Sequence, residues 1–478
     1  MRPQATQGLR ARNALGQSAR RFRFVQRGAA TLIVVMVLFF IMSLVAAYTS
    51  RNLIFEQRTS VNQYRAMQAH EAAEAGIEWA LAQLNGGRIN GSCLEAGVTN
   101  ADTSFRQRYL AINTNPPPDA NSGMVTRLDQ LPPPGNPAEP RRAGCVWSGT
   151  GWVCSCPSDG NPALVVPAGT GIFPAFWVSF STVGVSRPGV VQIISNGCTR
   201  VDAACLASAA NATTVEGRAL VTALVALKGA VATPPAAALT VFGQVDRGAA
   251  IGTLSAYNTD VDRGGITIHA SGTVGPLNNT VTLGSVPGTP GSASVIRDDP
   301  SLGRWLTGLL PADLTAAGRV PLDLVFASTF GVWPNTYRLQ PGAVRLTCPA
   351  GGCRAAVANA VALNPDRVIW VDGDLTLESA GVIGSPPNPG VTSVAGPAVI
   401  VATGRLNVPV AGVRVFGLIY TRSGNWSGSG EIQGAAIVEG NLAVTAAQTI
   451  VFNGDVLDTL RLRAGSFVRV PGGWKDFP

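Results

Sequence analysis

Residues 28–50 read GAATLIVVMVLFFIMSLVAAYTS, with no charge between Arg27 and Arg51. At a rise of about 1.5 Å per residue, roughly 20 apolar residues cross the hydrocarbon core of a bilayer as a helix. The stretch is therefore expected to span a membrane. Residues 1–27 hold seven arginines (Arg2, Arg10, Arg12, Arg20, Arg21, Arg23, Arg27) and no acid, which holds that end in the cytoplasm. Everything from Arg51 onward is then expected outside. A secretory signal peptide has a shorter apolar core followed by a cleavage site. Here the helical signal continues past the core instead.

Asn52 to Leu84 contains almost no helix breaker and is rich in Ala, Glu, Gln and Arg. Val61, Tyr64, Gln68, Ala72, Ala75, Trp79 and Ala82 recur at steps of three or four, one face of a helix. Gly86 and Gly87 then end it. One helix from Ala29 to Leu84 would be about 84 Å long, half in lipid and half projecting.

Three segments carry a family resemblance: Gln26 to Val35 (QRGAATLIVV), Glu56-Gln57-Arg58, and Ala69 to Leu81 (AHEAAEAGIEWAL). Together they resemble the N-terminal region of PilX-type minor pilins in the type IV pilin superfamily, over about 60 of the 478 residues. The resemblance implies cleavage by a prepilin peptidase after Gly28 and methylation of the new N-terminus at Ala29. It also implies helix packing through Leu32, Ile33, Val37, Phe40, Leu44 and Ala47, with other major and minor pilins and a pilus tip adhesin as partners besides the inner-membrane lipid. The implied place is the inner membrane, single-pass, with a periplasmic ectodomain that can be incorporated in a pilus at the cell surface. One departure stands out. Major pilins carry a glutamate five residues after the cut, and this chain has Ile33. A carboxylate within a bilayer is costly and marks function. Its absence fits a subunit at a filament tip, with no neighbour above it.

Composition narrows the other classes. The net charge of +8 comes mostly from the leader arginines, and the remaining basic residues nearly balance the 28 acidic ones. The basic pI is thus no sign of nucleic-acid binding. An arginine-rich transit peptide is the competing reading of the leader, and the long apolar helix behind it weighs against that. Lysine occurs only at 228 and 475, so no phosphate-binding GxxxxGK[ST] loop exists. With 55 glycines, 33 prolines and 13% charged residues, the region beyond the helix is expected to be rich in strands and turns.

The expected class is α+β, divided into a basic leader (1–28), the transmembrane and amphipathic helix (29–85), a pilin-like head (86–230), a linker (231–238) and a β-rich, solenoid-like domain (239–478). Proline stretches at 116–118 and 132–134 read as exposed loops. The runs Phe176–Val185, Val190–Gly197 and Ala212–Leu227 read as adjacent antiparallel strands, and Asp298 to Phe330 as one or two short helices. Further on, three segments align on a turn glycine: WVDGDLTL (370–377), VATGRLNV (401–408) and IVEGNLAV (437–444). Such repeats suggest stacked strands, each burying its apolar side on the next.

Chemistry is sparse. All eight cysteines lie beyond the helix, in an expected oxidising compartment. Cys198 with Cys205 and Cys348 with Cys353 are the expected disulfides, while Cys93, Cys145, Cys154 and Cys156 could pair in three ways. His70-Glu71-Ala72-Ala73-Glu74 lacks the second histidine of a zinc-protease helix and reads as a solvated face. His269 reads as an exposed or edge residue. Asp372 and Asp374 are expected to stabilise a turn rather than bind calcium, and Asp298 and Asp299 to cap a helix. No catalytic residue, metal or cofactor is expected. The rival readings are a K-type minor pseudopilin of type II secretion and a membrane-anchored β-solenoid that binds polysaccharide.

Overall fold

The computed structural model describes residues 28–97, 102–115, 118–127, 141–169, 172–183, 187–201, 217–246, 254–275, 281–307, 320–387, 396–426 and 428–476. The basic leader, Cys205 and most of the expected proline loops lie outside these. The chain divides into two compact units, Met1–Tyr64 and Arg65–Pro478. Helix α1 (Gly28–Leu84) supplies all the described residues of the first unit and opens the second. Its bounds match the sequence reading: no proline interrupts it, and Gly86 and Gly87 follow its end.

In the second unit, Ser104 caps the short helix α2 (Phe105–Tyr109) in a reciprocal capping box with Gln107. A hairpin of β1 (Leu110–Ile112) and β2 (Val125–Arg127) follows. Then come β3 (Ala143–Trp147), β4 (Trp152–Ser155), β5 (Ala175–Thr182), β6 (Val190–Cys198) and β7 (Arg218–Gly229). They form an antiparallel sheet in the order β4-β3-β5-β6-β7. The three adjacent strands expected at 176–227 are β5, β6 and β7. Their inward residues Phe176, Phe180, Val191, Ile193, Val221 and Val225 share one core with Ile77, Ala80 and Leu84 of α1. Disulfides join Cys93 to Cys156 and, across the β3–β4 pair, Cys145 to Cys154.

After β7 the pairing changes hand. The strands β8 (Leu239–Val241), β9 (Val245–Asp246), β10 (Leu254–Tyr257), β11 (Ile268–Ala270), β12 (Val281–Gly284) and β13 (Val295–Ile296) come first. Helices α3 (Pro300–Thr307), α4 (Pro321–Phe330) and α5 (Pro334–Tyr337) lead to β14 (Ala343–Thr347) and α6 (Arg354–Leu363). Then follow β15 (Val368–Asp372), β16 (Leu375–Thr376), β17 (Gly381–Ile383), β18 (Ala398–Asn407), β19 (Val413–Trp426), β20 (Gly430–Val438), β21 (Leu442–Val444) and β22 (Gln448–Phe452).

Every strand pairing among β8 to β22 is parallel, and the strands stack in three ladders. The first runs β14-β15-β18-β19-β20-β8-β11-β13. The second runs β16-β18-β19-β21-β9. The third runs β17-β19-β20-β22-β10-β12. Where β19 and β20 turn from the third ladder into the first, Gly417 and Gly434 lie side by side at φ 151° and 138°. A side chain at Gly417 would put its Cβ 1.8 Å from the Ala398 carbonyl, so the corner admits only glycine.

The stacking order is not the chain order. The rungs from 239–296 lie beyond the rung of β20, although they come earlier in sequence. The chain must therefore travel from β13 at one end of the stack to β14 at the other, and α3, α4 and α5 fill that interval. This is why Phe326 and Phe330 of α4 pack on Tyr420 of the first ladder.

Helix α7 (Gly454–Arg463), capped by Asn453, then leads to β23 (Gly465–Lys475). β23 pairs antiparallel with β7, Gly465 opposite Gly229, and completes a six-stranded sheet. Its Phe467 is buried in the head core. The expected boundary at 239–478 is corrected here: the stack of rungs is inserted between two neighbouring strands of the head sheet, because β23 returns to hydrogen-bond along β7.

Candidate functional site

The first unit offers one feature. Residues 31–63 of α1 are exposed along their whole length, including the expected packing residues Leu32, Ile33, Val37, Phe40, Leu44 and Ala47. Ile33 is 61% exposed and Phe40 69%. Fully burying one such side chain is worth about 1.5–3 kcal/mol, so a bare apolar row of this length demands lipid or other helices around it. Two of its hydroxyls are satisfied internally: Thr49 donates to the Val45 carbonyl at 2.9 Å and Thr59 to the Phe55 carbonyl at 2.9 Å. Gly28 and Ala29 are the first two residues of the helix. Among the described residues, α1 is the one helix long and apolar enough to cross a membrane.

Residues 27–78 match the family described as PilX N-terminal. That segment of the chain is similar to the N-terminal region of PilX-type pilins. No curated protein matches it in sequence. Among solved structures, the competence-associated pilin ComZ from Thermus thermophilus aligns over 86% of this chain and 97% of its own, at 11% identity and a TM-score of 0.21. A likeness of that size bears no weight on function. The PilX-type segment covers the exposed apolar row and most of the part of α1 that belongs to the second unit.

That second part, residues 65–84, is seated on the head sheet by small residues. The buried face is Ala69, Ala72, Ala73, Gly76, Ile77, Ala80 and Leu84; of the residues that recur at helical spacing from Val61 to Ala82, only Ala72 lies on it. Val61, Tyr64 and Ala82 are exposed, and Gln68, Ala75 and Trp79 are half-buried. Close approach decides the matter. Gly197 of β6 and Gly217 before β7 lie directly under the helix backbone, and only alanine and glycine fit between. Trp79 flanks the seat, its ring 5.4 Å from Phe105 and 5.6 Å from Phe176.

At the end of α1, Asn85 donates to the Phe467 carbonyl at 2.9 Å and accepts from the Phe467 N–H at 2.7 Å. Beside it the buried Arg106 guanidinium donates to the Leu84 carbonyl at 3.0 Å, the Gly465 carbonyl at 2.9 Å and the Arg463 carbonyl at 3.0 Å. It thereby caps the C-termini of both α1 and α7. The sequence carried no mark of this junction, since its partners lie more than 350 residues apart.

The remaining candidates fall as follows. Cys348 and Cys353 are joined; Cys198 is also disulfide-bonded, and Cys205 lies outside the described residues. Asp372 accepts from Trp370 Nε1 at 2.9 Å and from Arg345 at 3.0 Å, and Asp374 accepts the Arg405 N–H at 2.8 Å. Both act on turns between rungs. Asp299 caps α3 through the Ser301 N–H at 2.8 Å, whereas Asp298 is exposed at φ 53°. His269 is not an edge residue: β11 pairs on both sides, and Nε2 lies 2.6 Å from Asp299, a hydrogen bond that holds the Asp299 carboxyl down to about 2. His70 is half-buried rather than on a solvated face, 6.4 Å from the Trp474 ring. Among the described residues no group of three or more potential ligands is placed to hold a metal.

One polar group escaped the sequence reading. Glu439 is 1% exposed, accepts from Tyr420 OH at 2.7 Å and lies 3.3 Å from Arg422 Nε. Arg422 also pairs with Asp323 of α4 at 3.1 Å. Burial outweighs the Tyr420 hydrogen bond and the Arg422 charge, and Asp323 adds to it, so the Glu439 carboxyl is pushed up to about 7. A carboxyl that binds its proton more tightly when folded supports the fold at low pH, and that support fades from about 4.5 up through about 7. Wild type should therefore lose about 3 kcal/mol across this window relative to Glu439→Gln. Urea midpoints of both proteins at pH 5 and pH 8 would test this; equal pH slopes would refute it.

Proposed function

We propose that this chain is a minor pilin-like subunit that supports type IV pilus assembly. The reading rests on one observation: an unbroken helix that begins at Gly28, is uncharged to residue 50 and exposed over residues 31–50, a stretch that lies within the PilX N-terminal match. In this reading the leader stays in the cytoplasm, the apolar row crosses the inner membrane, and a prepilin peptidase cuts after Gly28. Ala29 becomes the methylated N-terminus. Leu32, Ile33, Val37, Phe40, Leu44 and Ala47 then pack against the helices of other pilins, with Ala and Ser between them permitting close approach. Residues 65–478 lie in the periplasm and at the pilus.

Ile33 and the inserted stack of rungs favour the tip. The first lacks the carboxylate that would engage a subunit above, and the second adds bulk that a repeating lattice would have to accommodate. The protein is a structural subunit in this account and performs no catalysis. The test is to shear filaments from cells expressing the tagged full chain and read its N-terminus by mass spectrometry. The expected result is co-purification of a chain that starts at Ala29, having lost 28 residues. A chain that keeps its leader, or is absent from the sheared filaments, would count against the proposal.

A further inference from the structure

On the first ladder, Trp370, Val401, Tyr420 and Ile437 stand in one column, each opposite the next. Two residues further along, the same outward face carries Asp372, Thr403, Arg422 and Glu439. These are the residues that precede the turn glycines of the sequence repeat, with Arg422 supplied by the rung between. Alternate residues point into the rungs, so this polar column faces away from the stack's own core. Helices α4 and α5 cover it, and a cavity of about 240 Å³ remains between cover and column. The exposed Asn335 of α5 and the 40% exposed Arg422 mark where it meets solvent.

We propose that this cavity binds a neutral, polyhydroxylated ligand of one ring's size, such as a single hexose unit of a glycan, with Glu439 and Arg422 as its hydroxyl partners. Three observations carry the assignment. First, Glu439 lines the cavity, its side chain is 1% exposed, and its Oε2 accepts no hydrogen bond despite the nearby Arg422. Arg422 supplies charge to this oxygen but no hydrogen bond, and a buried acceptor in that state is stabilised by a group that donates to it. Second, the lining sets two guanidinium groups, Arg338 and Arg422, beside two carboxyl groups, Asp372 and Glu439, so charges of both signs face the cavity. A full charge of either sign gains little there, whereas a hydroxyl can both donate and accept. Thr403 adds to this, because Oγ1 accepts from the Gly373 N–H at 2.7 Å and keeps its own proton to donate. Third, a cavity of about 240 Å³ that opens to solvent beside Asn335 and Arg422 has room for one ring at its polar column. The raised pKa of Glu439 suits the same partner, which serves carboxylate and carboxylic acid alike. The inference does not depend on the filament reading.

The test uses the full chain in phosphatidylcholine nanodiscs, since sugar-headed detergents would compete. Saturation-transfer NMR is run with glucose, galactose and mannose, and with glucuronate and glucosamine as charged controls. At least one neutral hexose should bind in the millimolar range. Asn335→Phe, at an exposed position of the rim, should weaken it about tenfold or more without moving the thermal midpoint. Absence of transfer to every neutral hexose would overturn the proposal. So would equal transfer in Asn335→Phe, which would locate the contact elsewhere, or tighter binding of either charged sugar.

Discussion

Arg106→Ala is expected to lower the unfolding free energy by about 4 kcal/mol, a large effect for a single polar substitution. Arg106 is 3% exposed, and its guanidinium serves the carbonyls of Leu84, Arg463 and Gly465 while lying 4.8 Å from the centroid of the Phe467 ring. Removal strands three buried acceptors at once, each costing about 1–3 kcal/mol, and leaves a void against Phe467. Burial pulls the group down to about 10, still charged at neutral pH, so the cost applies throughout the physiological range. Arg106→Lys should recover less than half of the loss, since one ammonium cannot reach three diverging carbonyls. Guanidinium denaturation of the two variants decides it. A loss below about 1 kcal/mol for alanine would mean that water replaces the arginine and that the junction is not held from this point.

The junction also shows where sequence reading stops. The bounds of α1 were legible because apolar and alanine-rich composition runs without a breaker up to Gly86 and Gly87. The alignment of Gly373, Gly404 and Gly440 was legible too, and it is the register found: Trp370 stands opposite Val401, and Leu375 opposite Leu406. Local spacing carries that kind of information. It does not carry the return of β23 to β7, or the stacking of residues 239–296 beyond β20, because pairing across long separations leaves no periodic trace. The seat of α1 was not legible for a related reason: it selects for smallness, and Ala69, Ala72, Ala73, Gly76 and Ala80 carry no bulk that would mark a buried face. In the polar column, Asp372, Thr403 and Glu439 were visible only as residues before turn glycines, and their convergence on one cavity required the register. The exposed row at 31–50, by contrast, was read directly, since nothing in its composition could face water unpartnered.

The seat of α1 supplies the second strong expectation. Gly197→Ala should destabilise the second unit by about 3–4 kcal/mol although it adds one methyl group. Its Cβ would stand 2.0 Å from the Ala69 carbonyl oxygen and 2.4 Å from the Ala73 nitrogen, both main-chain atoms of a packed helix with no rotamer to yield. Relief requires β6 and residues 65–84 to separate, which also exposes Ala73, Ile77 and Ala80 of the shared core. Gly76→Ala is the internal control. Its Cβ would meet the Ser195 Oγ at 2.2 Å and the edge of Phe176 at 2.9 Å, side-chain atoms that can rotate aside, so about 1 kcal/mol is expected. Thermal melts of the two variants should separate clearly, with Gly197→Ala the lower. If they melt together near wild type, helix and sheet can slide apart at little cost, and the small-residue face of α1 would owe its composition to something other than this contact.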